Sequence, residues 1–305
     1  MRVTALAGGV GGAKLLIGLA RVAGPRDLTA IVNTGDDADI YGLRVCPDLD
    51  IVTYWLAGIA DTERGWGIAG DSFTVVDSLG RFGLENWFRL GDRDLATCIA
   101  RTRYLAQGMS LSQATARITA ALGVGPEVLP MSDDDVRTII ITRAGDELDF
   151  QTYFVKLATE VDVAEVRFGG IARARPAPGV IEAIEQADRV VLCPSNPVVS
   201  LGPILALPGV RDALRAHPSV IAVTPIVAGA PLKGPADKLL AATGSEVSAI
   251  GVARLYADFL KTFVLDRRDE SQAGRAAELG VEVLVTDTVM TDVASSEGLA
   301  KEILF

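Results

Sequence analysis

The sequence predicts an α/β protein with a mainly parallel sheet, helices on both faces and a helical insertion. Three observations carry that expectation. Short apolar runs rich in β-branched residues, among them Arg2–Ala7, Leu28–Asn33 and Arg189–Cys193, alternate with segments whose apolar residues recur at helical spacing. The first run breaks into Gly8, Gly9, Gly11 and Gly12 before a helical pattern begins at Leu15 and Leu16, which marks a strand-to-helix elbow. From Ile51 to about Gln113 the strand signal nearly vanishes and apolar residues such as Val52, Trp55 and Leu56 recur at helical spacing instead. The arrangement reads as Rossmann-like, with residues 1–50 and 130–305 building one discontinuous core and residues 51–129 forming a mainly helical inserted subdomain.

The elements follow in order. Arg2–Ala7 is a buried strand, the following helix carries Leu15, Leu16, Leu19 and Val22, and Leu28–Asn33 closes a βαβ unit. After the insertion, Arg137–Thr142, Leu148–Val155 and Ala164–Phe168 read as strands. Helix Gly179–Ala187 leads into strand Arg189–Cys193, and Ser219–Thr224 is the next strand. A Gly/Pro loop, Pro225–Gly234, precedes a helix at Pro235–Ala242. The chain then alternates helix Val247–Phe259, strand Thr262–Leu265, helix Gln272–Leu279, strand Val281–Thr286 and helix Val293–Leu304.

Composition narrows the function. A chain of 305 residues that is 49% hydrophobic has enough apolar material for a packed core. No apolar run approaches the roughly 20 residues of a membrane span, and Met1 leads directly into a strand rather than a signal peptide. Cys46, Cys98 and Cys193 are isolated, without a CxxC pair, which suits a reducing cytoplasm better than a disulfide framework or a zinc site. A net charge of −10 disfavours nucleic acid and anionic lipid, so a phosphorylated ligand must be held by local donors or through a cation. The only histidine, His217, precedes Pro218 and reads as structural, which disfavours a histidine base.

The glycine elbow is the first candidate site. Residues without Cβ let a bulky group approach, and the N–H groups and positive dipole end of the next helix favour an anion such as phosphate. Lys14 lies between Ala13 and Leu15, so the Ser/Thr of a Walker A loop is missing. Gly9-Val10-Gly11 supplies two glycines of a dinucleotide fingerprint, but the third position falls on Lys14. Gly8, Gly9, Gly11, Gly12 and Lys14 are therefore expected to hold a nucleotide phosphate, not necessarily that of a nicotinamide coenzyme. Asn33 and Thr34 end the second strand at the same crevice, just ahead of Asp36 and Asp37, with Asp48 and Asp50 following. Each acid alone is compatible with capping or turn chemistry. As a set beside a phosphate they suit Mg²⁺, which takes oxygen ligands. Arg89, Arg93, Asp92 and Asp94 beside Trp87 and Phe88 suggest a phosphate clamp with a stacking surface, or else a salt-bridged turn before a helix. Trp66, between two glycines, is core or a ring platform. Ser195 and Asn196 follow a buried strand at another crevice position, and Lys233 sits on the Gly/Pro loop as a further anion cradle.

With these residues in place the chain resembles the 2-phospho-L-lactate transferase family, which attaches a phospho-acid to the deazaflavin Fo in coenzyme F-420 biosynthesis. The resemblance spans Ala7–Lys14, Val32–Asp37, Pro47–Asp50, Leu90–Ala96, Leu129–Asp134, Pro194–Val199, Gly202–Gly209 and Pro225–Lys238. Pro47-Asp48-Leu49-Asp50, Leu90-Gly91-Asp92-Arg93-Asp94 and Pro194-Ser195-Asn196-Pro197 are its most specific segments. It implies transfer of a phosphorylated three-carbon acid (2-phospholactate, phosphoenolpyruvate or 3-phosphoglycerate) from a guanosine-diphosphate-activated donor to the ribityl hydroxyl of Fo, releasing GMP, with Mg²⁺. It further implies that Asp50 and Arg89 contact the deazaflavin, that the elbow and the Ser195-Asn196 turn hold nucleotide and acceptor, and that the protein is a homodimer. Relatives often carry histidine where this chain has Cys98.

The combined expectation is Mg²⁺ on some of Asp36, Asp37, Asp48 and Asp50, phosphoryl oxygens on the elbow amides and Lys14, and Asp50 as first candidate to accept the ribityl proton. A UDP-sugar-binding regulator of the related gluconeogenesis-factor branch is the main alternative, and a nicotinamide-dependent oxidoreductase a more distant one.

Overall fold

The computed structural model describes all residues, Met1–Phe305. Seven strands form one sheet: β1 (Val3–Ala7), β2 (Leu28–Val32), β3 (Glu127–Pro130), β4 (Arg189–Leu192), β5 (Val220–Val223), β6 (Thr262–Asp266) and β7 (Glu282–Thr286). Every pairing is parallel and the spatial order is β3-β2-β1-β4-β5-β6-β7. The sheet grows outward from β1 in one direction through β2 and β3, then returns to add β4 on the other side. The carboxyl ends of β1 and β4 therefore flank the point where strand order reverses, which is where open α/β sheets form a crevice.

Alternation along β1 separates the two layers. Val3, Ala5 and Ala7 face a core shared with the first helix, α1 (Gly9–Ala23), and the terminal helix Val293–Leu304, while Leu6 faces the larger core on the opposite side. The terminal helix crosses α1 at Gly18, where any Cβ would collide with the Ser296 carbonyl. The helix α2 (Pro47–Leu56) packs on α1 and presents Asp48 and Asp50 from its first turn. Beyond it lie α3 (Thr74–Leu79), α4 (Asp92–Ala106) and α5 (Leu111–Ala121). Ile40, Val45, Val76, Phe88, Leu90, Leu95 and Cys98 make a small core of their own there. No helix is long and apolar enough to cross a membrane.

Several elements differ from the sequence reading. Arg137–Thr142, Glu147–Asp149 and Val163–Gly169 form a separate three-stranded antiparallel sheet. The strand expected over Leu148–Val155 ends at Asp149, whose carboxylate accepts from the Thr152 amide (2.8 Å) and hydroxyl (2.6 Å) and starts a π-helical turn, Thr152–Lys156. A local cap there overrides the β-branched and aromatic propensity of Thr152-Tyr153-Phe154-Val155. β3, the hairpin Ala38–Ile40/Leu43–Val45, and helices Leu201–Ala206 and Val210–Ala216 are too short to leave a clear period in the sequence.

Candidate active site

A cavity of about 780 Å³ opens at the switch point. Its walls come from the elbow after β1, the first turn of α2, the loop before α4, the Pro194-Ser195-Asn196 turn after β4, the Phe150–Val155 turn and the Gly/Pro loop carrying Lys233. Gly8, Gly9, Gly11, Lys14, Asp36, Asp48, Asp50, Arg89, Ser195, Asn196 and Lys233 all line it. Gly12, Asn33, Thr34 and Asp37 do not.

The elbow is built differently from the expectation. Its glycines chiefly accommodate other parts of the chain: a Cβ on Gly8 would strike the Asp48 carboxylate, on Gly11 the Pro194 carbonyl, and on Gly12 the Ser195 hydroxyl at 2.6 Å. Only Gly9 is required by its backbone, at φ +63°. Two of the amides assigned to phosphate are already engaged. Gly8 N–H donates to Ser195 Oγ (3.0 Å) and Gly9 N–H to Asp48 Oδ1 (2.8 Å). The anion at the start of α1 is thus the buried Asp48 carboxylate.

Asn33, outside the cavity lining, supports two of the acids that line it. Fully buried, it donates from Nδ2 to both Asp48 Oδ2 (2.9 Å) and Asp36 Oδ2 (3.2 Å), and its Oδ1 accepts from Gly35 N–H (2.8 Å). Thr34 is buried and its hydroxyl is unpartnered. The four aspartates proposed for metal form no single set. Asp36 and Asp48 share Asn33. Asp37 faces away from the cavity and accepts from the Cys46 thiol (2.9 Å). Asp50 is clasped by Arg101 of α4, whose Nη1 and Nη2 donate to its two carboxylate oxygens, both side chains being buried.

Burial pushes these acids up: Asp48 to about 6 and Asp37 to about 7, while Asp36 is raised by burial and then by the neighbouring Asp48 charge. Asp50 is raised by burial, with Arg101 opposing.

The Leu90–Asp94 segment divides its work. Asp92 accepts from the Ser72 hydroxyl (2.6 Å) and the Val75 amide (3.0 Å), organising α3, and Arg93 points outward to the Ala69 carbonyl. Arg89 lines the cavity, pairs with Asp77 and lies 4.7 Å over the Phe73 ring. Asp94 lines the cavity, buried, with its Oδ1 accepting from Tyr54 Oη at 2.7 Å. Trp66 lines the cavity under the Arg64 guanidinium, 5.2 Å from its ring. Lys14 Nζ donates to the Met290 carbonyl (2.9 Å) and Lys233 Nζ to the Arg64 carbonyl (2.7 Å). Asn196 Oδ1 accepts from the Val198 and Val199 amides. His217 is buried between the Ala187 carbonyl and the Ser219 amide, a structural role.

A family model described as 2-phospho-L-lactate transferase CofD matches residues 3–300. The chain belongs to the 2-phospho-L-lactate transferase family. A phosphoenolpyruvate transferase of Kitasatospora aureofaciens is 44% identical over 313 residues, covering 100% of this chain and 97% of that protein. A 2-phospho-L-lactate transferase of Methanothermobacter thermautotrophicus is 43% identical over 302 residues, covering 99% and 97%. A crystal structure of a UPF0052 family member from Bacillus halodurans superposes with TM-score 0.66 at 15% identity, covering 100% of this chain and 98% of that one, a likeness of fold alone. Membership makes this transferase-family chain an enzyme. Arg101 is the site residue that sequence reasoning missed: mid-helix arginines read as surface, and only its register beside Leu95 and Cys98 on one face of α4 hinted at burial.

Proposed function

We propose that this transferase moves a phosphorylated three-carbon acid from its guanosine-diphosphate-activated form to the terminal ribityl hydroxyl of the deazaflavin Fo, releasing GMP. One observation carries the anionic-donor part of this reading. Lys14 and Lys233 both line the cavity, each spends one N–H on a backbone carbonyl, and neither pairs with a carboxylate. The third cation there, Arg89, is already paired with Asp77. Two ammonium groups without counter-ions, in a cavity whose acids are Asp36, Asp48, Asp50 and Asp94, suit a diphosphate. Lys233 is held below the usual lysine range by burial and by Lys14, a repulsion that an anion between them relieves.

The residues fit Mg²⁺ at Asp36 and Asp48. Both are hard oxygen donors, Asp36 Oδ1 is buried without a hydrogen-bond partner, and the charge of Asp48 raises the cost of ionising Asp36. Asp37 is turned away and the Asp50 oxygens are held by Arg101. When bound, the ion supplies charge neutralisation to the diphosphate. The chain's own residues do the remainder: Lys14 and Lys233 hold phosphoryl oxygens, Ser195 and Asn33 fix the elbow and Asp48, and Arg89 with the aromatic wall orients the planar acceptor.

Mass spectrometry of the product formed from Fo with each of the three guanylylated acids tests the reading and selects the donor. Failure of all three, with thermal stabilisation by a UDP-sugar instead, overturns it.

A further inference from the structure

Two carboxylates from different helices face the same cavity and have different partners. Asp50 of α2 and Asp94 of α4 lie with Cys98 Sγ in a group whose ligand atoms are all within 4.8 Å of one another. Both Asp50 oxygens take guanidinium N–H groups from Arg101, which also donates to the Arg44 carbonyl (3.2 Å) and is 2% exposed. Asp94 has a single side-chain donor, Tyr54 Oη on Oδ1, leaving Oδ2 uncommitted. The position facing Oδ2 is Gly67, another cavity residue, where even a Cβ would stand 4.0 Å away.

Resting on the transferase reading above, we propose that Asp94, and not Asp50, is the catalytic residue that takes the proton from the acceptor hydroxyl. A proton arriving on Asp50 would leave the Arg101 guanidinium buried without a counter-ion, a large cost in the interior. A proton arriving on Asp94 Oδ2 leaves the Tyr54 hydrogen bond on Oδ1 intact and strands no charge. The remaining groups around Asp94 agree with this division. Burial, and then the charge of Asp50, push its carboxyl up to about 7, against which Tyr54 and Arg101 act, while Asp71 adds to the rise. Burial keeps the Cys98 thiol protonated, so it neither competes for the proton nor offers a thiolate.

The step balances. The acceptor O–H bond breaks with its proton passing to Asp94 Oδ2, the acceptor oxygen forms a bond to the phosphorus bearing the three-carbon acid, and the P–O bond to the GMP phosphate breaks with its electron pair leaving on GMP. Asp50, fixed by Arg101, remains an anion that orients the acceptor by accepting a hydrogen bond.

The test compares Asp94→Asn, Asp94→Glu and Tyr54→Phe with the unaltered full-length enzyme, using Fo, the donor that gives product, and Mg²⁺. Asp94→Asn is expected to lower kcat by roughly 10²–10⁴-fold while Fo binding, followed by its fluorescence, and the KM for both substrates stay within about threefold. Added Mg²⁺ should not restore the rate. Asp94→Glu is expected to recover part of it, and Tyr54→Phe to cost far less than Asp94→Asn. Retention of kcat within about threefold in folded Asp94→Asn, or recovery at high Mg²⁺, overturns the assignment. If Asp94→Asn fails to fold, loss of kcat in folded Asp94→Glu equal to background overturns it and partial activity supports it. Absence of product in the unaltered enzyme is the separate failure of the underlying transferase reading.

Discussion

Replacing Arg101 with methionine should be among the most damaging changes outside the hydrophobic core. The guanidinium is 2% exposed, gives two hydrogen bonds to Asp50 and one to the Arg44 carbonyl, and joins α4 to α2. Methionine fills much of the volume but leaves the Asp50 carboxylate buried and uncompensated, a loss on the order of 3–5 kcal/mol. For a chain of this size that corresponds to a fall in Tm of roughly 5–8 °C. The loss has a pH signature. Burial already raises Asp50, and without Arg101 it rises further, so protonation at low pH makes the buried group tolerable. The deficit of Arg101→Met should therefore be smaller at pH 5 than at pH 8. Urea unfolding followed by circular dichroism at both values measures this, with Asp50→Leu and the double variant completing a cycle. The double variant, which removes both charges, should sit well above Arg101→Met. A single-variant cost below about 1 kcal/mol, or a deficit that grows on acidification, would refute the reasoning.

Other consequences follow from the same geometry. Asp37, Asp48 and Asp94, with carboxyls raised to about 7, 6 and 7, bind more protons folded than unfolded between the ordinary carboxylate range and neutrality. The stability they contribute is therefore lost as pH rises through that window, so calorimetry of the ligand-free protein should give a lower Tm at pH 8 than at pH 5, with Mg²⁺ restoring part of the difference at pH 8. Lys14→Met and Lys233→Met, each removing one unpaired cavity cation, should raise the donor KM about tenfold, equivalent to ~1.4 kcal/mol, with KM for Fo little changed; steady-state kinetics with each substrate varied separates the two. Gly12→Ala places a methyl 2.6 Å from Ser195 Oγ and 3.0 Å from Ala7 Cβ. It should cost about 1–3 kcal/mol, and adding Ser195→Ala should return part of that in denaturant melts.

Periodicity exposed the parallel core because each buried strand is a short apolar run and each helix carries a continuous apolar stripe, as β1, α1 and the terminal helix Val293–Leu304 show. It failed where a local hydrogen bond or brevity decides the outcome. Asp149 turns an apparent strand into a helical turn at Thr152, and the four residues of β3 leave no period to read. At the site, the sequence indicated which segments converge on the crevice, since Gly8–Gly11, Asp48, Asp50, Arg89, Ser195 and Lys233 all line it. Side-chain direction was beyond it. Asp36 and Asp37 are adjacent, yet one faces the cavity and the other the Cys46 thiol, and only the packed chain determines which.

That distinction bears on how the proposed donor would be bound. The dipole end of α1, read from sequence as the phosphate cradle, is occupied by the Asp48 carboxylate on Gly9 N–H, and burial keeps that carboxyl as high as about 6 even with the helix amide and Asn33 supporting its anion. A diphosphate approaching the same spot meets a fixed negative charge, and it can do so favourably only with a cation between the two or by binding further along α1. On the proposed function, each route has residues to serve it. Asp36 adds a second carboxylate through Asn33, and Lys14, one turn further along α1, faces the cavity with Lys233. The glycines that looked like a ligand's approach path instead bring Asp48, Pro194 and Ser195 into contact with the strand end. The elbow thus builds an acidic wall, and under the proposed function the positive charge complementing the donor would come from the Lys14–Lys233 side and from a divalent ion on that wall.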